Sequence, residues 1–192
     1  MSFLFIWNFG LLCTSWYSRR MNLEPFVLNL KTREGVSRAV FAKLRHVQKG
    51  AWLTPEGFGF SKAQHNFRDY INVVIGRFKY GVNCHTITGA AAVRKNAFPM
   101  TIAARTANQV IREHAVPSKV LWEVAQKCTC WQECEILINL FTIAILSKEE
   151  DRMVDHHSSM PDGWQVGGNV YARYEELPFY EELLESKKLH GG

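Results

Sequence analysis

Much is missing from this chain, and each absence closes off a class of function. It contains no glycine-rich phosphate loop, dinucleotide-binding fingerprint, nucleophile elbow or zincin motif, which weighs against an enzyme built on any of those chemistries. Low-complexity tracts and internal repeats are absent too, so neither a solenoid nor a disordered scaffold is expected. Its two apolar runs, at 1–17 and 136–146, fall short of the roughly 20 residues that a membrane helix needs. Cysteine is scarce. Five residues at irregular positions make no disulfide framework in 192 residues and point to a reducing, cytoplasmic setting.

Acidic residues are missing from one part only. Residues 1–127 hold 18 Lys and Arg against 6 Asp and Glu, whereas residues 128–192 hold 5 against 12. The net charge of +5 therefore conceals a basic body followed by an acidic end. That distribution suits a polyanion-binding surface screened by its own C-terminal segment, and equally a self-associating chain with complementary faces. Apolar residues make up 47% of the chain, enough for one domain with a real core. The expected organisation is an apolar N-terminal segment (1–20), a basic helical core domain (21–147) and an acidic, irregular tail with a short terminal helix (148–192). The expected fold is mainly α, a single-domain bundle of about five helices.

The first 17 residues lack the basic n-region of a signal peptide, and Arg19-Arg20 follows them. They read as a packed segment, a marginal anchor, or a leader ahead of a functional start at Met21. Next comes a helix capped by Thr32, with Val36, Val40, Leu44 and Val47 on one face and Gly50 as its stop. Arg38, Lys43, Arg45 and Lys49 spread around its other face. A loop at 51–60 sets glycines between Trp52, Phe58 and Phe60. Ser61-Lys62-Ala63-Gln64 reads as a capping box that opens a second helix, with Phe67, Tyr70, Ile71, Val74 and Phe78 as its buried stripe and Gly81 as its end. Lys62, Arg68, Arg77 and Lys79 interleave with Tyr70, Phe78 and Tyr80, a pattern that nucleic-acid grooves use and that packing also produces. Residues 82–88 read as a short strand or an extended crossing. Cys84 and His85 read as a buried thiol and a surface histidine.

The stretch from Met100 to Leu146 has the longest helical pattern. Thr101 can cap a helix reaching His114, and Ala115-Val116-Pro117-Ser118 breaks the pattern before Val120, Leu121 and Val124 resume it. This spacing is compatible with a DNA-reading helix-turn-helix. Ser118, Lys119, Glu123, Gln126 and Lys127 would then face the major groove, with Arg105 and Arg112 on phosphates. Thr129-Cys130-Trp131-Gln132 reads as a further capping box, opening a buried helix over 133–146. Cys128, Cys130 and Cys134 lack the paired spacing of a zinc ribbon or finger and read as structural thiols. Asp155, His156, His157 and Asp162 have the composition of a divalent-metal hydrolase site but lie in a polar, glycine-containing stretch with no rigid support. Residues 171–174 read as an extended piece, and Pro178 opens a terminal helix burying Phe179, Leu183 and Leu184.

The sequence thus points to a nucleic-acid-binding regulatory or accessory protein, duplex DNA being its expected partner, with no cofactor, metal or catalytic residue assigned. A protein–protein interaction module is the first alternative and a metal-dependent hydrolase the second.

Overall fold

The structure, a computed structural model, describes residues 29–51, 58–154 and 159–189. The N-terminal segment 1–20, the start at Met21, residues 52–57 of the aromatic loop and Asp155, His156 and His157 lie outside the described residues. The architecture is mainly α. Its helices are α1 (Arg33–Ala51), α2 (Phe58–Tyr80), α3 (Ala90–Arg94), α4 (Ile102–Thr106), α5 (Ser118–Lys127), α6 (Glu135–Leu140), α7 (Lys148–Asp151) and α8 (Tyr180–Leu189). Two strands, β1 (Val110–His114) and β2 (Ile143–Ser147), pair antiparallel.

Instead of a bundle of about five helices there are eight helices and a two-stranded sheet among the described residues, and only α1, α2, α5 and α8 reach ten residues. α1 starts where the sequence places it, with the Thr32 hydroxyl accepting from the Gly35 N–H at 3.0 Å. Its stripe of Val36, Val40, Leu44 and Val47 is buried against α2. α2 begins three residues before the expected capping box at Ser61 and ends at Gly81, whose φ of 73° only glycine adopts freely. Residues 82–87 form turns over α2 rather than a strand. A Cβ on Gly76 would lie 2.6 Å from Cys84 Sγ, so glycine permits that approach.

The largest departure is in the centre of the chain. Thr101 does cap a helix, accepting from Ala104 N–H at 3.2 Å, but that helix ends at Thr106 and residues 110–114 are extended. The expected helix over 133–146 likewise stops at Leu140 and becomes β2. The apolar run at 136–146 satisfies helix and strand patterns alike, and tertiary packing makes the choice. In β2, Ile143 and Ile145 enter one core while Ala144 and Leu146 enter another, the period-two alternation of a strand buried on both faces. An extended, buried backbone must find partners on both edges. β1 supplies one edge in the register Val110–Ser147 to His114–Ile143. Residues 99–101 supply the other: Thr101 N–H donates to Ile145 O at 3.2 Å, and Ile145 N–H to Pro99 O at 2.9 Å.

The first core joins α1, α2, α5 and α6 to one face of the sheet. The second lies on the opposite face, where Ala144 and Leu146 meet Val154, Tyr171, Tyr174, Phe179 and Leu183. The C-terminal segment is therefore a docked layer, not a tail. Residues 172–174 form a 3-10 turn instead of an extended piece, and α8 begins just after Pro178, as the sequence indicates. Arg173, whose side chain is 5% exposed, pairs with Glu113 of β1 at 2.8 Å and locks this layer to the sheet. Ser147 and Glu150 form a capping box on α7. Glu150 also accepts the Thr101 hydroxyl at 2.6 Å, joining the start of α4 to the end of β2. Among the described residues no helix is long and apolar enough to cross a membrane.

Candidate nucleic-acid interface

A helix exposes what its packing face leaves over, and in α1 that is a basic stripe. With Val36, Val40, Leu44 and Val47 buried, Arg38, Phe41, Ala42, Arg45, His46 and Lys49 follow one another at helical spacing on the opposite side. Phe41 is half-buried and lies beneath the Arg45 guanidinium, 5.2 Å from it. The Arg38 guanidinium sits 4.3 Å over the Trp131 ring. Cations held against aromatic faces keep their charge outward while losing little freedom.

α1 and α2 together carry nine Lys and Arg against Glu34 and Asp69. Both carboxylates are paired locally, Glu34 with Arg38 at 2.8 Å and Asp69 with Arg68 at 2.9 Å. Neither is left to neutralise the outer cations, of which Arg45, Lys49, Lys62 and Arg77 are exposed. The interleaved rings of α2 divide. Tyr70 lies 5.5 Å beneath Lys43, and burial raises its pKa. Tyr80 packs on Phe98, and its hydroxyl accepts from Ile143 N–H at 3.2 Å, so it belongs to the core. Lys79 donates to the carbonyls of Ile138 and Phe141 and holds the end of α6.

The helix-turn-helix expectation fares unevenly. α5 is an amphipathic helix that starts at Ser118 and buries Leu121, Trp122, Val124 and Ala125. Lys119, Glu123, Gln126 and Lys127 lie on its outer face, and Ser118 is half-buried in its first turn. The preceding element is a strand rather than a helix, so the two-helix unit that lays a reading helix in the groove is not formed. Arg105 is exposed on the short α4. Arg112 stands on β1, where its guanidinium donates to the Cys84 carbonyl. On the same face of β1, the His114 ring packs edge-on to Phe141, and its buried Nδ1 has no hydrogen-bond partner among the described residues. Burial, with Arg68 and Arg112 nearby, pushes the His114 pKa down to about 4. The α1 cations are legible in the sequence, but Trp131 is not, because its turn has the pattern of a helix start.

No model of a known family matches the chain, and no curated protein or solved structure does.

Several carboxylates of the acidic segment are already employed. Glu150 binds Thr101 Oγ1 and Ser147 N–H, Glu182 accepts from Ile102 N–H at 2.6 Å, and Glu175 accepts from Asn169. These hold backbone ends and turns in place. Among the described residues no group of three or more His, Cys, Asp or Glu is placed to hold a metal ion. Asp162 is exposed, and its three expected companions fall outside the described residues.

Proposed function

We propose that the protein binds nucleic acid through the outer stripe of α1, extended by the exposed cations of α2, and serves as an accessory or regulatory factor. The observation that carries this reading is the stripe of Arg45, His46 and Lys49 beside the Glu34-paired Arg38, set among rings, on a helix pair whose two carboxylates leave those outer groups without a counter-charge among the described residues. Phosphates would meet the cations, and unstacked bases would lie against the guanidinium planes of Arg38 and Arg45, themselves held over Trp131 and Phe41, which favours a single strand over a duplex. The polar face of α5, with Lys119, Glu123, Gln126 and Lys127, supports a second reading in which duplex DNA is contacted there.

Fluorescence anisotropy with a labelled single strand and a labelled duplex across a salt series tests both readings. Removing one cation that meets a phosphate lowers the slope of log affinity against log salt by about 0.7–0.9, so Arg45→Ala/Lys49→Ala should lower it by about 1.5. Substituting Lys119 and Lys127 instead should leave the single-strand slope unchanged. An unaltered slope in the α1 variant, or no binding by the native chain at low salt, defeats the proposal. A lower slope on the duplex in the α5 variant alone selects the second reading.

A further inference from the structure

α5 ends and α6 begins around one short turn, at 128–134, which contains three of the five cysteines of the chain. Cys128 is the C-cap residue of α5 and Cys134 the N-cap residue of α6, so each sulfur is carried on a fixed helix end. Both residues are buried, while Cys130 between them is half-buried. The turn is drawn together by the Glu133 carboxylate, which accepts from the Thr129 N–H at 2.6 Å and from its hydroxyl at 3.1 Å. Cys134 N–H donates to Trp131 O at 3.1 Å and closes the other side. The Cys134 thiol is hydrogen-bonded to the Cys128 sulfur across the turn, and Cys128 Sγ itself donates to the Val124 carbonyl at 3.6 Å. Two buried thiols in contact, each on the fixed end of a different helix, are placed for thiol–disulfide exchange with one another, with Cys128 the less deeply buried of the two.

We propose that Cys128 and Cys134 form a reversible disulfide, taking their oxidising equivalents from a low-molecular-weight disulfide such as oxidised glutathione. The Cys128 thiolate attacks one sulfur of that disulfide; a protein–glutathione bond forms, the small S–S bond breaks, and one glutathione thiolate leaves. Cys134 then loses its proton to solvent and attacks Cys128 Sγ, forming the protein S–S bond and expelling the second glutathione thiolate. The two protein thiols give up two protons and two electrons, and one small disulfide becomes two thiols. The bridge would fasten the end of α5 to the start of α6 across Trp131, the ring beneath Arg38. Its existence does not depend on nucleic-acid binding.

The test uses the full chain equilibrated in glutathione buffers from reducing to oxidising, acid-quenched, alkylated under denaturing conditions and mapped by mass spectrometry. Cleavage after Glu133 separates Cys134 from Cys128 and Cys130, and fragmentation of the linked peptide between Cys128 and Cys130 shows which of the two is bridged and which is alkylated. The expected result is a poise-dependent Cys128–Cys134 crosslink, with two fewer alkylatable thiols in native protein and in Cys130→Ser, reversed by excess reduced glutathione. Full alkylation of Cys128 and Cys134 at every poise overturns the proposal. So does accumulation of mixed glutathione disulfides alone, or a dominant bridge that uses Cys130.

Discussion

Deleting residues 148–192 is the obvious way to ask whether the acidic segment screens the basic surface, and the structure predicts that the deletion unfolds the protein instead. Val154, Tyr171, Tyr174, Phe179 and Leu183 form most of the second core and leave with the segment. At about 1.5–3 kcal/mol for each large apolar side chain withdrawn from water, their removal costs roughly 8–15 kcal/mol, as much as the whole stability of a typical domain. Ala144 and Leu146 of β2 would be laid bare, and the Arg173–Glu113 pair and the hydrogen bond from Met100 N–H to the Ser186 hydroxyl would disappear as well. The assay is thermal unfolding by far-ultraviolet circular dichroism, with amide dispersion by NMR. We expect no cooperative transition in residues 1–147. A cooperative melt within about 5 °C of the full chain would refute the second core, since 1 kcal/mol moves Tm by only about 2–4 °C in a chain of this size. The charge question is answered separately by Glu176→Gln/Glu181→Gln/Glu185→Gln, exposed positions whose neutralisation leaves that core untouched.

Glu150→Ala strands the buried Thr101 hydroxyl and the Ser147 N–H, and should lower stability by about 2–4 kcal/mol, whereas Glu150→Gln, which keeps an acceptor oxygen, should cost about half as much. A shift in the urea midpoint at constant m reports it, and a change below about 1 kcal/mol for the alanine would contradict the geometry. His114 gives stability a dependence on pH. Its folded pKa of about 4 lies below the ordinary 6.5, so the unfolded chain takes up the proton first. The contribution is complete above the unfolded value and is lost as pH falls toward 4, roughly 2 kcal/mol between pH 7 and pH 5. Unfolding curves at those two pH values should differ by that amount in the native chain and by much less in His114→Phe; an equal difference in both would place the titration elsewhere.

Elements whose signals are local can be read from the chain directly. Thr32 and Thr101 name their helix starts, Gly81 names a stop, and the break at Ala115-Val116-Pro117 falls where α5 begins, because a cap or a backbone constraint acts within a few residues. The buried stripes of α1 and α5 and the cations opposite them were equally legible, since a 3.6-residue period fixes which side chains share a face. The extended conformation of 110–114 and 143–147 was not legible. Val110, Ile111 and His114 lie at helical spacing, and the run from Ile136 to Leu146 is apolar at nearly every position, so period alone does not choose. Long-range pairing makes the choice. A strand buried between two cores must have neighbours for its N–H and C=O groups, and those neighbours, β1 and residues 99–101, lie roughly 30 to 45 residues away in the chain. The same reason made the acidic segment look like a tail. Nothing local announces that Tyr171 and Tyr174 will find Leu146, and it is that meeting which turns an irregular stretch into half of the second core.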